Sequence, residues 1–188
     1  IYPNVDWEDV ILKDYALDHH VNLSVQGGSE FARYFGSLSY QSVSDIFNGL
    51  AYDNGKGYAS EYSYDRFNYR SNLDFDITKT TQFSVNLSGY YGVQEKPLDD
   101  MMIPLFSIYS FAPSIFTPIY PDGYYGRFAS HDWGTANPIV ILTSAGYKTY
   151  HKFQINSDFE LKQDLKFILK GLSFKGKFSF DNFMESVQ

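Results

Sequence analysis

The residue types that most often carry out catalysis are scarce in this sequence and poorly placed for it. Cysteine is absent from the 188 residues, which excludes a thiolate nucleophile and a thiolate metal site. Two of the four histidines, His19 and His20, are adjacent, so a strand would point them to opposite faces. The sequence contains no G-x-S-x-G, H-E-x-x-H or phosphate-cradling glycine loop. We therefore expect a protein that is not an enzyme and that uses neither a metal nor a cofactor.

Residues that suit ligand contact are concentrated in one long segment, residues 94–147. Aromatic rings stack on the apolar faces of sugars, while nearby carboxylates and guanidinium groups bind the hydroxyls. The candidate contacts with a ligand or with a covering lid protein are Tyr120, Tyr124, Tyr125, Arg127, His131, Asp132 and Trp133. The alternative is that the aromatics form a small core of the loop itself, because a loop of this length needs buried contacts to stay ordered.

Charge and composition narrow the class of partners. Asp and Glu number 22 against 15 Lys and Arg, which gives a formal net charge of −7. Proteins that bind nucleic acid carry a basic surface that neutralises phosphates, so we expect no nucleic-acid partner. Tyr and Phe number 17 each, and a chain this rich in large apolar side chains is expected to fold. No run approaches the roughly 18 consecutive apolar residues of a transmembrane helix.

Alternation of polar and apolar residues predicts β-strands. In residues 66–77 the even positions are all polar and the odd positions are apolar at five of six places. Residues 151–162 repeat this pattern, which a pleated strand sorts onto two faces and a helix cannot. Four other segments follow it less strictly. The six predicted strands cover approximately residues 19–26, 31–42, 64–77, 81–93, 148–163 and 171–184.

The connections between these strands alternate in length. Short links follow the first, third and fifth strands, whereas residues 1–18, 43–63 and 94–147 are long loops. Successive links of a meander lie at opposite ends of the sheet, so all long loops share one end. This segregation is typical of outer-membrane barrels, which have short periplasmic turns and long extracellular loops. The alternative is a soluble or surface β-sandwich that binds carbohydrate, because a sheet with one solvated face also alternates.

A sheet of six strands cannot cross a membrane alone, since its two open edges would lie in hydrocarbon. We therefore expect an all-β antiparallel meander that is part of a larger closed barrel. The polar strand faces would line the lumen, where charges of alternating sign suit contact with a plug. The alternative is that these side chains are simply solvated. The candidate lumen- or plug-facing residues are Arg66, Asn68, Arg70, Asp74, Asp158 and Glu160.

Several segments, taken in order, carry a family resemblance. They are PNVDWEDVI at 3–11, HVNLSVQGGSE at 20–30, YFGSLSY at 34–40, YDRFNYRSNLD at 64–74, GLSFKGK at 171–177, and the pairs Asp122-Gly123 and Asn137-Pro138. The set resembles the early barrel region of SusC/RagA-like transporters, the nutrient-importing branch of the TonB-dependent outer-membrane family. The resemblance spans essentially the whole chain, and its specificity lies in the ordered set rather than in any single motif.

The resemblance implies a fold, a location and partners. Such transporters form a transmembrane β-barrel of about 22 strands, closed by an N-terminal plug, in the outer membrane of Gram-negative cells. They import oligosaccharides or other large nutrients with a SusD-like surface lipoprotein and are energised through TonB. Residues 1–188 would then be a partial barrel segment without the plug domain and the TonB box. Its partners would be the SusD-like lipoprotein, TonB through the missing N-terminal part, its own plug and outer-membrane lipid. Whether the substrate is a glycan or a peptide stays open.

Overall fold

Six strands form a single antiparallel sheet, and each strand is bonded to its neighbours in the chain. The computed structural model describes residues 2–52, 60–98, 102–127, 137–144 and 146–188. The strands are β1 (Asp18–Gly28), β2 (Ala32–Ser44), β3 (Ser63–Thr78), β4 (Thr81–Pro97), β5 (Tyr147–Asp164) and β6 (Ser173–Val187). The prediction of an all-β antiparallel meander of six long strands is confirmed. Closure into a larger barrel stays a prediction.

The register sorts the side chains onto two faces. Arg66 of β3 lies opposite Gly92 of β4, and Asn86 of β4 lies opposite Asp158 of β5. Because opposed residues share a face, the odd residues of β2 and β6 and the even residues of β1, β3, β4 and β5 lie together. We call this side the polar face and the opposite side the apolar face.

No described residue covers the apolar face. Five side chains on it are 55–69% exposed: Val21, Leu23, Val25, Leu38 and Phe67. Within the described ranges, none of the buried hydrophobic residues lies in a strand. All six described strands belong to one sheet. The second sheet that a β-sandwich requires is therefore not found in the part of the chain that the structure describes.

The long loops fold into a separate unit at one end of the sheet. Its helices are α1 (Trp7–Ile11), α2 (Met102–Ser110) and α3 (Pro138–Ser144), with a 3-10 turn at Gly49–Tyr52. We call this unit, the described residues among 2–17, 45–62 and 98–146, the loop cap. Its core consists of Trp7, Ile11, Phe47, Ile108, Phe116, Ile139 and Leu142. Thus the only buried apolar cluster of the described residues lies outside the sheet.

The helices of the loop cap begin where local chemistry favours them. The Asp6 carboxylate accepts the backbone N–H groups of Glu8 and Asp9 and so caps α1. Helix α2 contains a proline near its start. Pro104 lies in the first turn of α2, where a backbone N–H has no partner within the helix. None of the described helices has the length and apolar character needed to cross a bilayer.

Candidate functional site: the polar face and the loop cap

Two of the predicted lumen carboxylates, Asp158 and Glu160, are neutralised by the neighbouring strand. Lys177 Nζ lies 3.2 Å from Asp158 Oδ1, and Ser179 Oγ donates to the same oxygen at 2.5 Å. Lys175 Nζ lies 2.9 Å from Glu160 Oε2. The sequence alone does not show these ion pairs, since they depend on the β5–β6 register. Neither carboxylate requires a cation from another segment.

Asp74 lies at the short-turn end of the polar face and is also satisfied within the sheet. Ser84 Oγ on β4 donates to Asp74 Oδ1 at 2.6 Å. Arg33, which stands opposite Asp74 on β2, lies 3.6 Å from Asp76 Oδ2. The acidic groups on the β3 part of the polar face therefore have donors on the adjacent strands.

The arginines of β3 differ from these carboxylates. Arg66 donates from Nε to Asn68 Oδ1 at 2.7 Å, and its guanidinium carbon lies 3.9 Å from the centre of the Tyr90 ring. Arg70 donates from Nε to Asn72 Oδ1 at 3.3 Å. Among the described residues, neither arginine forms an ion pair with a carboxylate. Arg66, Asn68 and Arg70 share an open groove of about 390 Å³ on the polar face.

The predicted ligand-contact residues Tyr120 and Tyr124 lie on a small hairpin of the loop cap. Gly123 N donates to Tyr120 O at 2.9 Å, and Tyr120 N donates to Tyr124 O at 2.8 Å. Gly123 has a φ of 86°, a conformation that a glycine adopts without strain. The ring of Tyr124 is 73% exposed and that of Tyr120 is 43% exposed. The hairpin tip therefore presents two accessible aromatic side chains.

A buried asparagine fixes this hairpin to α3. Asn137 is 3% exposed and donates from Nδ2 to Pro118 O at 2.6 Å and to Gly126 O at 3.2 Å. Its Oδ1 accepts the backbone N–H of Ile139 at 3.0 Å, which caps α3 just before Pro138. One side chain thus joins both strands of the hairpin to a helix start, which the pair Asn137-Pro138 alone could not show.

Two of the remaining predicted contact residues, Tyr125 and Arg127, lie within the described part of the chain. Tyr125 packs against the loop-cap core, whereas Arg127 is exposed. His131, Asp132 and Trp133 lie outside the described residues. A contact between these residues and a ligand stays a prediction.

Helix α2 presents an exposed apolar stripe that the sequence analysis did not single out. Met102, Phe106 and Tyr109 are 63%, 73% and 74% exposed, while Ile108 on the opposite side enters the core. Their spacing places the three exposed side chains on one side of the helix. The helical periodicity of residues 102–110 could have predicted this stripe, but Pro104 within the segment argues against a helix.

A polar cluster of the loop cap surrounds Asp45, the first residue after β2. Asp45 Oδ1 lies 3.3 Å from Lys13 Nζ, and its Oδ2 accepts the backbone N–H of Tyr62 at 2.7 Å. Lys13 also lies 3.3 Å from Glu61. The Asp45 side chain is only 8% exposed. Loss of water raises the pKa of Asp45 above its ordinary 3.8, although the Tyr62 N–H and Lys13 act in the opposite direction.

The fold of this chain is similar to part of a chain in solved transporter structures. The chain matches, over 98% of its length, a chain of the RagAB peptide importer in its closed-closed state, with a TM-score of 0.70 and 17% identity. A second structure, of the RagAB peptide transporter, matches with a TM-score of 0.67 and 17% identity. No protein-family model and no curated protein matches the sequence. This chain spans 19% of the length of each matched chain. Its six-stranded meander is therefore similar in fold to part of a chain of these transporters.

Proposed function

We propose that this chain is a segment of an outer-membrane nutrient importer of the SusC/RagA-like kind and is not an enzyme. Its six strands would form part of a closed transmembrane β-barrel of about 22 strands. The observation that carries the proposal is the uncovered apolar face of a sheet whose opposite face is polar. The similarity in fold to transporter chains supports the same assignment.

The apolar face has the layout of a lipid-facing barrel surface. One cross-sheet row contains Tyr40, Phe67, Tyr91 and Phe153, and another at the short-turn end contains Phe75 and Phe83. These rows are eight β3 residues apart, about 26 Å along a strand, comparable with the apolar band of about 25 Å in outer-membrane barrels. The paired positions on this face within these limits contain no charged residue or histidine.

Polar groups begin immediately beyond the first aromatic row, towards the loop cap. The Tyr40 hydroxyl donates to Asp65 at 2.6 Å, and the Tyr91 hydroxyl lies 2.9 Å from His151 Nδ1. Tyrosines with an apolar ring and a hydrogen-bonded tip are typical of the interface between hydrocarbon and water. This arrangement supports an orientation in which the loop cap lies outside the cell and the short turns face the periplasm.

The outer location of the loop cap favours recognition there. The exposed tyrosines of the hairpin tip and the α2 stripe are suited to contact with a captured nutrient or with a covering lipoprotein. We infer that the partner is a SusD-like lipoprotein and that the nutrient is an oligopeptide or oligosaccharide. Energy would come through TonB, acting on a plug inside the barrel.

Fractionation of the source cells tests the proposal. An antibody against residues 171–184 should detect the whole protein in the outer-membrane fraction, and its band should shift on boiling before electrophoresis. Closed barrels resist detergent until heated, so the shift reports closure rather than mere association with lipid. A protein found in the soluble fraction without a heat shift would contradict the proposal.

A further inference from the structure

Charge is distributed unevenly over the polar face. The carboxylates Asp158 and Glu160 of β5 are paired with lysines of β6. Arg66 and Arg70 of β3 form no ion pair with any described carboxylate. The middle of the polar face thus carries two positive charges without described counter-charges.

Contacts with neighbouring side chains hold both guanidinium groups in place. Arg66 rests 3.9 Å from the centre of the Tyr90 ring and donates from Nε to Asn68 at 2.7 Å. Arg70 donates from Nε to Asn72 at 3.3 Å. Asn68 in turn donates to Ser39 Oγ at 3.0 Å. Since these bonds use Nε, the Nη groups of both arginines are left to bind an anion, and positioning in advance reduces the entropy lost on binding.

The groove around the two arginines suits an anionic solute. It has a volume of about 390 Å³, and its described lining contains no carboxylate. Neutral donors and acceptors line the rest, including Ser37, Ser88, Gln154 and Asn156. Arg66 and Arg70 are four residues apart on one strand face, about 13 Å. This spacing matches two carboxylates on one extended molecule rather than a single small anion.

We propose that the Arg66–Arg70 groove is a binding site for a solute that carries several carboxylates. Guanidinium groups bind carboxylates through paired, charge-assisted hydrogen bonds, and the neutral residues bind the solute's hydroxyl or amide groups. Acidic oligopeptides and oligosaccharides of uronic acids share this chemistry. The inference rests on the proposed function, which places the polar face inside a barrel through which nutrients pass.

Chemical labelling of arginine in the detergent-solubilised whole protein tests the site. Phenylglyoxal should label Arg66, Arg70 and the 58% exposed Arg33 when no solute is present. Either oligoglutamate or oligogalacturonate should protect Arg66 and Arg70 but not Arg33. Oligoalanine and a neutral maltooligosaccharide are the uncharged counterparts and should protect none. The acidic probe that protects identifies the source of the carboxylates.

Variants separate binding from folding. The double variant Arg66→Gln/Arg70→Gln should weaken binding of the protecting probe about a hundredfold, since each of the two lost charged contacts is worth about a factor of ten. The control Arg33→Gln/Lys79→Gln removes two positive charges at the short-turn end and should bind within about twofold of the wild type.

Two results would overturn the inference. If Arg66 and Arg70 resist phenylglyoxal before any solute is added, a resident protein segment covers them. If neither acidic probe protects better than its neutral counterpart, the groove does not select carboxylates. Both results are compatible with a heat-modifiable barrel, whereas a wild-type protein without a heat shift would reject the proposed function itself.

Discussion

The loop cap buries many of its apolar residues, whereas the sheet leaves many of its apolar residues exposed. The loop cap encloses Trp7 and Ile139 at 3% and 0% exposure, as the interior of a water-soluble domain does. The sheet leaves Leu23 69% exposed and Phe178 65% exposed. Both regions are well supplied with hydrogen bonds, so the contrast concerns apolar surface alone.

This contrast indicates that the two regions are stabilised by different surroundings. Burial of apolar side chains away from water stabilises the loop cap, because this burial is the main favourable contribution to folding in water. The apolar face of the sheet gains no comparable contribution from the described chain, and under the proposed function it lies against lipid. Substitutions should therefore affect the two regions by different mechanisms, and the following predictions separate them.

Removal of the central aromatic residue of the loop cap should have the largest effect. Trp7 contacts Phe111 and Phe116 edge-to-face, at ring-centre distances of 5.7 and 5.1 Å. Trp7→Ala should destabilise the loop cap by about 3–5 kcal/mol, because the cavity cannot be filled. The rate of hydrogen exchange in residues 102–127 should rise strongly, while the temperature of the heat shift expected of a closed barrel should stay unchanged.

The matched control for this variant is Tyr2→Ala, which removes an aromatic ring that is 87% exposed in the same terminal segment. It should leave exchange in residues 102–127 unchanged. An equal fall in the heat-shift temperature for Trp7→Ala would show that loop cap and sheet unfold together. The comparison between two independently stabilised regions would then be wrong.

A charge on the apolar face should have the second largest effect. Val25, which pairs with Gly36, lies midway between the two aromatic rows. Val25→Arg should cost about 2–4 kcal/mol if that face lies in hydrocarbon, but only about 0.5 kcal/mol or less on a surface in water. Ser24→Arg places the same side chain on the polar face of the same strand and is the control. Urea unfolding in lipid vesicles measures the difference, and equal unfolding midpoints for the two variants would reject the membrane placement of the sheet.

The sequence predicted the sheet better than the loop cap. The pattern that defines a strand is local, whereas the contacts that hold the loop cap together join residues far apart in the chain. Alternation over residues 66–77 is local, so β3 could be predicted without knowledge of its neighbours. The contact of Lys177 with Asp158 requires the β5–β6 register, and the bond from Trp7 to Ala112 joins residues 105 positions apart. Such long-range contacts carry no periodic signal in the sequence.

The long loop shows the same limit within a single segment. Its aromatics had two possible roles in the sequence, ligand contact or a core of the loop itself. In the structure Phe116 is 4% exposed and belongs to the core, whereas Tyr124 is 73% exposed at the hairpin tip. Residue type alone cannot distinguish a core aromatic from an exposed one, because the orientation of each ring depends on the hairpin that Asn137 anchors.

The smallest predicted effect concerns the junction between the two regions, where Asp45 is nearly buried between Lys13 and Tyr62. Since burial raises the pKa of Asp45, the folded junction favours the protonated form, and this contribution is complete at low pH. It is lost as pH rises through the raised pKa. The stability of wild type relative to Asp45→Asn should therefore fall by less than about 1 kcal/mol as pH rises above 3.8, the ordinary pKa of this carboxyl. Exchange of the Tyr62 amide in both proteins, at each pH, measures this difference, and Asp14→Asn, at an exposed carboxylate of the same segment, should show no such trend. A relative stability that rises with pH would mean that the charge of Lys13 outweighs the effect of burial at this junction.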